Sequence, residues 1–199
     1  MAKKKEYSEY EIEIKASPIF PYYMQHRMDD EKLEQWEKKR GRIIERDDIN
    51  EEDNKRALFH SYFNDKGKFY IPSEHIRCSM IEAGRLTKGK VGASTRSMTQ
   101  IVAGMFFIKD EELPIHQKWD IDKRSCVNNN VKARVITIRP KWKDWKTKFT
   151  LIVDEPTITK ETVKKIVEDA GKYIGIGSYR PQHKGPFGRF VITKFKVKT

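Results

Sequence analysis

The chain has 199 residues, 37% of them hydrophobic and 35% charged, with 41 Lys and Arg against 29 Asp and Glu and a formal net charge of +12. That length suffices for one domain with a real core and an insertion, and 11% aromatic residues argue against general disorder. A positive surplus of this size points to a polyanionic partner. Cys78 and Cys126 lie far apart and form no C-x-x-C, which excludes a zinc ribbon or a redox pair and fits a reducing compartment. "MAKKKEYSEY" lacks the apolar core of a signal peptide, and no apolar run approaches membrane-spanning length. A cytoplasmic protein of a prokaryotic or virus-infected cell is expected, with no membrane contact and no cofactor.

In chain order, "YEIEIKASPIF" (10–20) sets Ile12, Ile14 and Ala16 against charged residues and reads as a strand ended by Pro18. "DDEKLEQWEKKR" (29–40) and "INEEDNKRALFHSYF" (49–63) read as helices, a polar insertion at about 29–63. A turn and short strand follow in "NDKGKFYIP". "PSEHIRCSMIEAGRL" (72–86) predicts a helix capped by Ser73, with Ile76, Met80, Ile81 and Gly84 on one face. "TKGKVGAS" (87–94) reads as a flexible loop, and 98–109 as an apolar strand. Strands are expected at 131–140 and 148–156, joined by a Trp-rich hairpin at about 139–149. "TITKETVKKIVEDAG" (157–171) predicts a helix capped by Thr159, with Val163, Ile166, Val167 and Ala170 as its stripe and Gly171 as its stop. "RFVITKFKV" (189–197) alternates as a last strand. This order, β–(αα)–β–α–β–β–β–α–β, predicts an α+β fold: an RRM/ferredoxin-like antiparallel sheet with helices on one face and a C-terminal glycine-rich loop, all in a single domain over 1–199.

The charges segregate. Residues 83–109 hold no acid but carry Arg85, Lys88, Lys90, Arg96 and Lys109, and residues 170–199 hold none either, with Arg180, Lys184 and Arg189 among seven cations. "GRLTKGKV" (84–91) nearly matches a phosphate-binding G-x-x-x-x-G-K-[ST] loop, but Val91 replaces the magnesium-binding hydroxyl and a helix precedes it; a cationic loop on a nucleic-acid backbone suits it better. No histidine pair has metal spacing, so no metal site is expected. "RPKWKDWKTKF" (139–149) interleaves Trp142 and Trp145 with Arg139 and Lys141. That pattern either stacks unpaired bases while cations hold phosphates, or packs the indoles under the hairpin. In "GKYIGIGSYRPQHKGPFGRF" (171–190), Gly175 and Gly177 would let the backbone approach a ligand and offer amides to an anion, with Arg180, Lys184 and Arg189 adding phosphate contacts. His183 in that loop is either a phosphate or base contact or a general acid/base for RNA cleavage. Asp29 and Asp30 either position a metal or a 2′-hydroxyl, or open a helix.

Three stretches, "YEIEIKASPIF", "FYIPSEHIRCSMIEAGR" and the glycine-rich 171–190, resemble the first strand, the first core helix and the C-terminal glycine loop of the Cas7-like branch of the RAMP superfamily, the repeat-associated proteins of CRISPR effector complexes. "SEHIRCSM" lacks that family's small Ser-Ser and Gly, and the chain is shorter than most backbone subunits, as a stand-alone viral or mobile-element relative would be. The resemblance implies an RRM-like fold that holds single-stranded RNA, or one DNA strand, along its backbone, and that assembles as a homo-oligomer or within a ribonucleoprotein complex. It also implies RNA cleavage in some members by an Asp after the first strand, the region of Asp29 and Asp30. The leading expectation is therefore a non-catalytic binder of single strands. Beside it stand an RNA endonuclease using His183 or Asp29/Asp30, and a protein-interaction subunit of a CRISPR or replication complex.

Overall fold

The computed structural model describes residues 7–27, 49, 51–91, 94–128, 133–155 and 157–198. The helix expected at 29–40, with Asp29 and Asp30, lies outside them. Strand β1 (Ser8–Ala16) buries Tyr10, Ile12, Ile14 and Ala16 and turns Glu9, Glu11, Glu13 and Lys15 the other way, as its alternation dictates. It pairs antiparallel with β11 (Phe190–Lys198) and with β10 (Lys146–Val153), which pairs in turn with β6 (Phe106–Ile108). The order β11-β1-β10-β6 is that of a ferredoxin-like sheet, and the α+β expectation holds.

Helix α2 (Ser73–Ala83) and helix α4 (Lys160–Asp169) cover the buried face. In α4 the Thr159 hydroxyl accepts from the Thr162 amide at 3.2 Å, and Val163, Ile166, Val167 and Ala170 are buried as the spacing predicts. Val163, Ile166 and Val167 each contribute about 1.5–3 kcal/mol by this burial. Gly171 does not stop this helix. The chain continues through a π turn, Ala170–Ile174, and Gly175 at φ +74° ends it, its amide donating to Ala170 O at 2.7 Å. Gly171 is small for a different reason: a Cβ there would stand 2.2 Å from Phe190 O. Ser73 is the first residue of α2 rather than its cap, and no side chain caps this end.

A second sheet, β2-β9-β8, joins Tyr22–Met24, Ala133–Lys143 and Asp120–Asn128. Because β9 pairs with β2 and β8, and β10 with β1 and β6, residues 143–146 form a corner between two sheets, not the tip of a hairpin. Asp144 makes the corner at φ 51°, its amide bonded to Pro21 O. Helix α1 (Glu51–Phe59) packs Ala57 against Ile121 and Ile138 of this sheet, fastened by Lys123 to Asp53 at 2.8 Å. Strands β3 (Tyr70–Pro72) and β7 (Glu112–Pro114) pair separately.

Two further expectations change. The basic loop at 87–94 is a hairpin, β4 (Lys88–Val91) with β5 (Ser94–Ser97), and Gly89 packs so tightly that a Cβ would lie 2.6 Å from Met98 Sδ. Residues 99–105 are helix α3 (Thr99–Met105), with strand beginning only at Phe106. Gly84 lets the end of α2 meet the start of α3, since a Cβ there would stand 2.8 Å from Thr99 N.

Candidate nucleic-acid interface

Helix α2 offers one face to the core through Ile76, Met80 and Ala83. The neighbouring stripe, His75, Cys78, Ser79 and Glu82 at i, i+3, i+4 and i+7, faces a cleft of about 670 Å³. Its other walls are His26 after β2, Arg139 from β9 and the glycine-rich segment from Ile176 to His183. Among the described residues, no group of three or more His, Cys, Asp or Glu side chains could hold a metal ion.

The glycine-rich segment is shaped by its own chain. Ser178 N–H donates to Met24 O and Gly188 N–H to Tyr22 O, both at 2.8 Å, so the neck of the loop is laid on β2. Gly177 sits at φ +72°, and a Cβ there would be 2.4 Å from Met24 O. Backbone packing, not the approach of a ligand, therefore accounts for Gly177, and the amide of Gly175 closes the π turn. Of the two amides expected to offer an anion nest, that of Gly175 is thus already committed within the chain. Beyond the neck, Pro181–His183 form one 3₁₀ turn, ended by Lys184 at φ 61°.

Arg180 is braced from both sides. Its Nη1 donates to Gly177 O at 2.9 Å, and its Nε and Nη2 reach Gln182 Oε1 at 3.0 and 2.8 Å. Arg139 donates to the Ser178 hydroxyl. The acids of the cleft are balanced on their own helix, Glu74 by Arg77 at 3.0 Å and Glu82 by Arg85 at 3.1 Å. Burial, and then the charge of Arg180, pulls His75 down to about 4, so it is neutral at physiological pH. Its Nδ1 shares a hydrogen bond with the Tyr23 hydroxyl at 3.1 Å. Burial and Arg180 also lower His183. Burial, and the hydrogen bond to Glu74, push the Cys78 thiol up, which keeps it protonated and a poor nucleophile.

Of the residues singled out in the sequence, the cleft brings together Arg139, Gly177, Arg180 and His183. Lys184 is exposed at the end of the 3₁₀ turn, and Arg189 lines a second cleft beside β11, where its Nη1 donates to Lys172 O at 2.7 Å. Arg85 pairs with Glu82, and Lys88 is exposed on the hairpin; Lys90 and Arg96 lie on the same hairpin. Lys141 lies over the Tyr22 ring, 3.6 Å from Asp120. Trp142 and Trp145 are corrected: both are fully buried. Their rings pack on Tyr23 at 6.0 and 5.5 Å, and core packing leaves no face for a base. On the outer face of the main sheet the two central strands carry Glu9, Glu11, Glu13, Lys146 and Lys148 and no aromatic ring, unlike the stacking surface of an RRM. His75, Ser178, Tyr179 and Gln182 were not anticipated as cleft residues; the helical stripe on α2 was the signal for His75.

No family model and no curated protein matches the sequence. A solved chain does match the structure: one from "Cryo-EM structure of the Type III-B Cmr-beta bound to cognate target RNA", with a TM-score of 0.51 at 10% identity. The fold is RAMP-like. The match covers 96% of this chain and 60% of the other, so the RAMP-like fold here spans little more than half the length of that neighbour. Among the described residues, no helix is long and apolar enough to cross a membrane.

Proposed function

We propose that this chain binds single-stranded nucleic acid, RNA foremost, in the cleft between α2 and the glycine-rich loop, as a subunit of a CRISPR-type ribonucleoprotein assembly or of a homo-oligomer. The observation that carries this reading is the convergence of Arg139 and Arg180, from separate elements, on one cleft whose acids are already paired. The Arg180 guanidinium, held in place by Gly177 O and the Gln182 side chain, suits a charge-assisted phosphate contact. The net charge of +12 supports the same partner. So does likeness of fold to a chain whose complex is described as bound to target RNA. The test is an anisotropy titration with labelled single-stranded RNA, its duplex and the matching DNA strand over a salt series. Salt-sensitive binding that favours the single strand is expected; no binding above a neutral-polymer control at low salt overturns the reading.

A second reading, metal-independent RNA cleavage, rests on His183, which lines the same cleft and, kept neutral by burial and Arg180, has a ring nitrogen to accept a proton. Incubation with end-labelled RNA of varied sequence in chelator decides it. Intact RNA leaves binding alone.

A further inference from the structure

Tyr179 is set in the left-handed region at φ 52°, a conformation that a bulky residue holds only when its surroundings impose it. They do so here. Phe187 N–H donates to Tyr179 O at 3.2 Å, and Gly185 has no room for a Cβ, which would stand 1.9 Å from that same oxygen. The ring is fixed as well. Phe187, 2% exposed, lies 6.0 Å from it, and the Arg124 guanidinium lies 5.1 Å from its centroid, itself clamped by both carboxylate oxygens of Asp122. Yet Tyr179 stays 40% exposed and lines the cleft with Arg139 and Arg180. A pinned aromatic that still shows surface beside two arginines is what a protein needs to hold one nucleotide by its base as well as its phosphate.

Resting on the proposed single-strand binding, we infer that Tyr179 is a stacking platform for one unpaired base of the strand, and that it makes the cleft prefer base-bearing single strands to a bare phosphate backbone. Bases inside a duplex are already stacked and out of reach, so the same ring discriminates against double strands.

The experiment compares a short oligoadenylate with an abasic oligomer of the same length, at one salt concentration, on the full chain. The wild type should bind the base-bearing strand about tenfold more tightly, the scale of one base–aromatic contact. Tyr179→Ala should erase that preference, and Tyr179→Phe should keep it. Equal wild-type affinity for the two oligomers overturns the stacking inference and needs no variant to read. Failure of the wild type to bind either oligomer overturns the binding reading instead. Displacement of the strand by free adenosine monophosphate at equal nucleotide concentration also overturns the inference, by marking a mononucleotide site.

Discussion

Ile176 and Gly188 close the neck of the glycine-rich loop on each other. The Ile176 amide donates to Gly188 O at 3.0 Å, and a Cβ on Gly188 would stand 1.8 Å from Ile176 O. Gly188 also sits at φ +70°. Gly188→Ala should therefore cost more than about 2 kcal/mol, strain and collision together. Gly67 has the same φ but nothing within 4 Å of its Cβ position, so Gly67→Ala should cost only about 1 kcal/mol. Urea unfolding of the two variants checks the contrast.

Arg139 and Arg180 should each contribute one phosphate contact. Replacing either with Gln should weaken single-stranded RNA binding, and should flatten the plot of log K against log salt by about 0.7. Lys196→Gln, on the strand at the far edge of the sheet, should leave the slope unchanged. Anisotropy titrations at several salt concentrations read both.

Trp145 is fully buried against Tyr23 and Phe190. Trp145→Ala should cost about 3–5 kcal/mol through the cavity it leaves, a large share of the stability of a domain this size. The loss should appear in the urea midpoint, while the fraction that remains folded keeps wild-type affinity for RNA. A selective loss of affinity with unchanged stability would restore the base-stacking role.

His75 gives the protein an acid-sensitive region. Its folded value near 4 lies below the unfolded 6.5, mainly because burial disfavours the charged form, with Arg180 adding repulsion and Glu74 opposing it. Above pH 6.5 the imidazole is neutral in both states and has no effect. As pH falls from 6.5 towards 4 the unfolded chain takes up a proton that the folded chain refuses, and stability drops by about 3 kcal/mol before levelling off. Urea midpoints across that window should show the decline, and His75→Gln should flatten it.

The main sheet was legible in the sequence because β1 and β11 have one buried and one exposed face, and α4 has a single apolar stripe; period-two and period-3.6 patterns survive in such elements. The corner at 143–146 was not, because alternation is the same whether two successive strands pair with each other or leave for different sheets. Helix α3 was missed for a related reason: "TQIVAGM" is short and apolar, and a run of that length cannot be told from a strand by periodicity. At the site, charge was readable and burial was not. Arg180 stood out as a cation in an acid-free segment and Arg139 as one interleaved with aromatic residues, whereas Trp142 and Trp145 look the same in sequence whether they face solvent or core. Tyr179 escaped notice because its exposure comes from a backbone conformation imposed by Gly185 and Phe187, residues six and eight positions away.

The 3₁₀ turn, the Arg180 brace and the β2-bound neck together mean that the loop folds with the domain, not with its ligand. Strand binding should then show a modest heat-capacity change, without the large negative value of coupled folding. Most of the ordering entropy would be lost by the nucleic acid, so flexible, weakly stacked strands would have the most to lose.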